Sequence, residues 1–159
     1  MTASELVVRP VAPSDREGFE TGFARLSPQT RFLRFGAAKP RLSRRELDWL
    51  VLVDHHDHEA LLAFTPAGEP VGVGRFVRVD DAPATAEIAV TVFDAWQGRG
   101  AGTELVRRLA ARAREEGVET LRAEVLPGNA AAIAVLRREG FTRAGTHGGL
   151  ARFERAVSR

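Results

Sequence analysis

The chain has no cysteine, no tyrosine and a single lysine, Lys39. Without cysteine there is no disulfide, no thiolate metal site and no cysteine nucleophile. Without tyrosine no phenol is available as a general acid. The other 22 basic residues are arginine, set against 21 acids, for a formal net charge of +2. The sequence pI of about 10.2 follows from these absences. Almost nothing in the chain titrates between about pH 7 and pH 12, so a small arginine excess carries the pI high. At a net charge of +2 the field is weak, and the pI alone does not argue for a polyanion partner.

Long apolar runs are also missing. The longest, residues 49–53 and 130–136, fall far short of the ~20 residues of a membrane span. The first ten residues carry no apolar stretch of the kind a secretory signal needs. These points predict a soluble, cytoplasmic protein with no membrane partner. The 159 residues fit one domain, read as 1–159, with no internal repeat, low-complexity tract or dividing linker.

What is present reads as mixed α and β. Residues 6–9 suggest a short strand. Ser14 with Glu17 reads as a capping box opening a helix to about residue 26. Ser27-Pro28 starts a second helix, and Ser43 with Glu46 repeats the box before a third. Two strands, 60–64 and 71–79, flank Pro66-Ala67-Gly68-Glu69, a hairpin signal. Residues 85–93 alternate: Ala86, Ile88, Val90 and Val92 on one face, Glu87, Ala89, Thr91 and Phe93 on the other. A glycine-rich turn leads into a helix whose apolar face is Leu105, Val106, Leu109, Ala110 and Ala113. A strand at 121–126, a helix capped by Asn129 and stopped by Gly140, and two short strands complete the chain. The order predicts an α+β sheet with a βαβ crossover in its middle.

The glycine turn carries the chemistry. In Gln97-Gly98-Arg99-Gly100-Ala101-Gly102-Thr103 a strand feeds three alternate glycines and then a helix. Glycines let backbone N–H groups approach a phosphate, and a helix start offers unpaired N–H donors at the positive end of its dipole. Arg99 adds a charge. The turn is neither a Walker A loop nor a dinucleotide fingerprint, since Thr103 stands where the third glycine of the latter falls. The glycines alone are equally consistent with a turn that serves only strand-to-helix geometry.

These residues resemble the Q/R-x-x-G-x-G/A signature of the GNAT superfamily of acyl-CoA-dependent N-acetyltransferases. Asn129 through Ala132, Leu136 and Gly140-Phe141 resemble its second element. Residues 25–35, Leu42-Ser43, Val53-Asp54, residues 60–63 and Ala86-Glu87-Ile88-Ala89-Val90 are similar to the catalytic domain of bacterial protein lysine acetyltransferases. The likeness spans about residues 5–156. It implies a mostly antiparallel sheet of about seven strands, helices on both faces, and a parallel pair splayed by a bulge. It implies acetyl-CoA as cosubstrate and no metal. The pyrophosphate falls on about Gly98, Arg99, Gly100, Ala101, Gly102 and Thr103, with Gln97 a further cofactor contact, and the pantetheine arm on Val90, Thr91 and Val92. Asn129 is a cofactor contact as well as, or instead of, a helix cap. Glu87 falls where the lysine acetyltransferases carry their general base; its other reading is an ordinary exposed strand carboxylate. Leu136 stands where many relatives have a tyrosine that protonates the departing thiolate.

Lesser candidates remain. Asp54-His55-His56-Asp57-His58 holds metal-ligand types but reads first as a solvated loop, or as a rim of the acceptor entrance. His147 is a turn histidine or an acceptor neighbour, and Glu124 a reserve base. Arginines 107, 108, 112 and 114 read as a solvated helix face, some within reach of a coenzyme A phosphate. The expected acceptor is a protein lysine side chain. The alternatives are a small amine, such as a polyamine, amino acid or antibiotic, and an inactive acyl-CoA-binding regulatory module. A nucleic-acid partner is not expected, and the chain is read as a monomer or homodimer.

Overall fold

The computed structural model describes residues 2, 5–35 and 41–158, with side chains omitted over 32–35. Lys39 lies outside the described residues. The elements are β1 (Val7–Pro10), α1 (Arg16–Ala24), α2 (Pro28–Phe35), α3 (Arg44–Val51), β2 (His58–Phe64), β3 (Pro70–Val79), β4 (Ala82–Val92), α4 (Ala101–Glu115), β5 (Thr120–Val125), α5 (Ala130–Arg138), β6 (Thr142–His147) and β7 (Leu150–Ala156). Seven strands form one sheet in the order β1-β2-β3-β4-β5-β7-β6. Every neighbouring pair is antiparallel except β4 and β5, which are joined by the α4 crossover. This is the mixed sheet expected from the order of the elements.

Local chemistry explains most of the starts. Ser43 Oγ accepts from the Glu46 N–H at 3.1 Å, and Glu46 returns a carboxylate oxygen to the Ser43 N–H at 2.9 Å. This is the capping box read from the sequence. Ser27 Oγ likewise accepts from the Thr30 N–H, with Pro28 as the first residue of α2. The box expected at Ser14 and Glu17 does not form. Arg9 grips Asp15 with two N–H···O bonds of 2.9 and 2.7 Å, and Asp15 also accepts from the Ala12 N–H. That grip tightens Pro13–Asp15 into a 3₁₀ turn and delays α1 to Arg16.

The two faces of the sheet carry different layers. On one face α4 buries Leu105, Val106, Leu109, Ala110 and Ala113, the stripe predicted from its spacing. They join Phe76, Leu121 and Phe153 in the main core. The sheet makes room with glycine: a Cβ at Gly74 would stand 2.7 Å from Leu109 Cδ1. On the other face a smaller cluster of Val11, Leu50, Val51 and Ala60 packs with Phe19 and Val73 beneath α1 and α3.

Because Leu109 is fully buried over a side-chain-free stretch of β3, its truncation leaves a cavity that the sheet cannot fill. Leu109→Ala is expected to cost about 3 kcal/mol of stability. Urea unfolding measures this, with a lowered midpoint and an unchanged slope.

Candidate active site

The parallel pairing of β4 with β5 covers Thr85↔Thr120, Ala86↔Leu121 and Glu87↔Arg122, and stops there. Each strand then stays with its antiparallel partner: β4 with β3 as far as Val92, β5 with β7 as far as Val125. A gap opens between them. Its cause differs from the expected bulge. The register of β4 against β3 runs unbroken from Ala86 to Val92, and the shift lies at Arg78/Val79, at the far end.

Alternation decides which backbone groups face the gap. The Phe93 N–H donates to Val71 O, so Phe93 and Thr91 turn their peptide groups toward β3. Val90 and Val92 turn theirs toward the gap. The Val92 carbonyl is already taken by Gln97 Nε2 at 3.0 Å. That leaves the Val90 N–H and C=O and the Val92 N–H facing the opening. Of the expected strand contacts, Thr91 therefore offers only its side chain.

The gap widens into a cleft of about 460 Å³, within the usual range for a small-molecule site. Val90, Val92, Ala123 and Val125 line it from the α4 side, and Ala89, Thr91 and Glu124 from the other. The opening therefore passes through the sheet. Gln97, Gly98, Gly100, Gly102, Thr103 and Asn129 close one end, with α5 residues, Leu136 among them, along the flank. Gly98 and Gly100 have φ of 75° and 87°, conformations that suit glycine, and Gly100 is the N-cap of α4. Ala101 is buried and Arg99 stacks on Trp96 at 4.9 Å. Neither lines the cleft. Asn129 caps α5 through the Ala132 N–H at 3.2 Å.

A model of the acetyltransferase (GNAT) family matches residues 23–141. The chain belongs to the GNAT acetyltransferase family. It is 34% identical over 140 residues to acetyltransferase Pat of Mycolicibacterium smegmatis, covering 87% of this chain and 42% of that protein. The chain thus spans less than half the length of that relative. It is 33% identical over 100 residues to an L-methionine sulfoximine/L-methionine sulfone acetyltransferase of Pseudomonas aeruginosa, covering 61% of this chain and 58% of that one. Among solved structures it resembles the GNAT domain of S. lividans PAT, with TM-score 0.88, 34% identity, and 94% and 89% of the two chains covered.

GNAT acetyltransferases use acetyl-CoA, and the cleft of this GNAT chain fits it. The Val90 peptide groups match an amide-bearing arm, and the glycine turn with the α4 N-terminus matches a diphosphate. Arg138, which sequence reading passed over, lines the cleft and donates to Thr103 Oγ1 at 3.3 Å. The α4 arginines are committed elsewhere. Arg107 pairs with Glu139, Arg108 with Glu104 and Arg112 with buried Glu59, while Arg114 donates to Val157 O. None of these four lines the cleft.

Glu87, Glu124 and Glu154 occupy the face opposite α4, and Glu154 pairs with Arg122 at 3.3 Å. Glu87 sits at the closed end of the gap, half exposed at 51%, with Arg122 3.8 Å away. Glu124 lines the cleft, is 14% exposed, and is held by His147 Nδ1 at 3.0 Å and Arg152 at 3.3 Å. The other three histidines serve the scaffold. His55 meets Glu59, His56 meets Glu116, and His58 accepts from Arg75 Nη1 at 2.8 Å. Asp54 caps the loop by accepting from the N–H groups of His56, Asp57 and His58. No metal-binding group occurs among the described residues, and no helix there is long and apolar enough to cross a membrane.

An arginine can only donate, so His58 is neutral when it accepts from Arg75. Burial first, and then the Arg75 charge, pushes its pKa down to about 4. The unfolded ring binds its proton near the ordinary value of 6.5 and the folded ring does not. Stability is therefore complete above about pH 6.5 and is lost as the pH falls toward 4. Denaturant midpoints measured across that window should decline, and His58→Gln should flatten the decline.

Proposed function

We propose that the chain moves the acetyl group of acetyl-CoA directly onto a protein lysine side chain, with Glu87 as general base. The observation that carries this is the slot through the sheet. A thioester entering from the glycine turn and an amine entering from the opposite face meet where β4 and β5 part. The resemblance of the chain's motifs to bacterial protein lysine acetyltransferases supports a lysine acceptor, and the 34% identity to acetyltransferase Pat supports acetyl transfer.

The amine must shed a proton before it attacks. With a pKa near 10.4, only about one lysine in 2500 is neutral at pH 7. Glu87 stands on the acceptor face beside the end of the gap, half exposed, with Arg122 3.8 Å away. Glu124 is already engaged by His147 and Arg152, so its oxygens are less free to meet an incoming amine. The nitrogen forms its bond to the acetyl carbon as the carbon–sulfur bond breaks. The chain holds no cysteine for a covalent acetyl intermediate, so both substrates share the site. Leu136 is buried along the cleft and donates nothing. The sulfur leaves as a thiolate, tolerable for a thiol of pKa near 8.5, and takes its proton from water.

The second reading is a small amine acceptor, favoured by the 33% identity to the methionine sulfoximine/sulfone acetyltransferase. Coenzyme A release, followed with a thiol reagent, separates the two when a lysine peptide and L-methionine sulfoximine are offered in parallel. Turnover of the small amine alone would refute the lysine reading. No release with any acceptor, despite acetyl-CoA binding, would refute catalysis and leave a binding module. Glu87→Gln is expected to lower kcat by about 100-fold while coenzyme A affinity, read by calorimetry, stays within about twofold. Unchanged turnover in that variant would remove Glu87 as the base.

A further inference from the structure

The glycine turn is braced from an element far away in sequence. Thr30, in the first turn of α2, lines the cleft beside Gln97. Its hydroxyl donates to Asp94 Oδ1 at 3.1 Å. It accepts from Gln97 Nε2 at 3.3 Å and from Ser27 Oγ at 3.0 Å. One donor and two acceptor sites are thus all in use. Asp94 begins the 3₁₀ turn Asp94–Trp96 that leaves β4, and Gln97 is the residue immediately before Gly98. The Gln97 amide also holds the Val92 carbonyl. The Thr30 hydroxyl therefore touches both sides of the bend that turns the strand into the phosphate-facing loop, with Ser27 as a further partner of Asp94 and Thr30 as the link to Gln97.

The bend needs such a brace. Gly98 and Gly100 both have positive φ, and a Cβ at Gly98 would meet nothing within 4 Å. Glycine backbone with no packing around it has many conformations to lose on binding. The hydrogen bonds from Gln97 and Asp94 are what restrict it. We propose that Thr30 is a positioning residue for acetyl-CoA, acting through Gln97 and Asp94 to hold the glycine turn in its binding conformation. The inference rests on acetyl-CoA use and not on the identity of the acceptor.

The test reads coenzyme A binding without any acceptor, so it stands apart from the lysine reading and from Glu87. Thr30→Val keeps the shape of the side chain and removes the hydroxyl. Its coenzyme A Kd by calorimetry is expected to rise about three- to tenfold, the range for a lost hydrogen bond. Thr30→Ser, which keeps the hydroxyl, should stay within about twofold of the parent protein. Gln97→Ala should weaken binding too, and adding Thr30→Val to it should cost less than Thr30→Val costs alone, because the two changes share the Gln97 arm of the brace. In steady state the loss should appear in KM for acetyl-CoA, with kcat at saturation nearly unchanged. Thermal melts of each variant identify a general loosening of α2. A lower melting temperature in Thr30→Val with unchanged coenzyme A affinity would overturn the proposal. So would equal loss in Thr30→Ser, or full additivity in the double variant.

Discussion

Everything at the site depends on the parting of β4 from β5. Each strand has a complete antiparallel ladder on its outer edge, with β3 and with β7. Each can therefore afford an unpaired inner edge for a few residues. In water such an edge invites strand addition. Here it is sunk within the sheet, with α4 and α5 along one side. A slender, extended chain that carries amide groups matches it. In the proposed function this seam is the recognition surface, and it is also the passage by which two substrates on opposite faces reach one another.

The glycine turn completes this arrangement because α4 starts where the seam ends. Gly102 lets the first turn of α4 settle against two elements at once, its missing Cβ lying 3.8 Å from both Val92 Cγ2 and Val135 Cγ2. The helix start is thereby held at the mouth of the cleft rather than tilted away from it. The buried Glu59–Arg112 pair secures the other end of the helix to β2, with His55 as a second donor to the carboxylate. A buried charge left without its partner is costly, so this pair works as a locating pin for the crossover as much as a source of stability.

Much of this was legible in the sequence, and the boundary falls where interactions cease to be local. The box at Ser43 and Glu46, the stripe on α4, the alternation of β4 and the glycine turn all involve residues within a few positions of one another. The periods of helix and strand reveal them. The Ser14 box failed because Arg9, five residues earlier and on β1, competes for the first turn through Asp15. The partners of Arg107 and Arg112 were hidden because Glu139 and Glu59 approach only after the chain has folded. Glu124 was legible as a reserve base from its place on the strand across from Glu87, and the end of pairing at Arg122 shows the opening that it faces. Arg138 and Thr30 were not singled out from the sequence. Neither carries a local signature of its position at the cleft.

The hold of Gln97 on Val92 has a metrical consequence. With that carbonyl occupied, the gap-facing edge of β4 presents the full donor and acceptor pair of one residue, Val90. A ligand amide can align there in one register. Sliding along the strand to the next equivalent position would move it by two residues, about 7 Å, far more than a reacting bond tolerates. In the proposed function the strand is thus a ruler with a single mark, read from Val90 back to Glu87. Thioesters whose amide-bearing arm is longer or shorter by one unit would deliver their carbonyl carbon to the wrong place, whatever their affinity for the glycine turn.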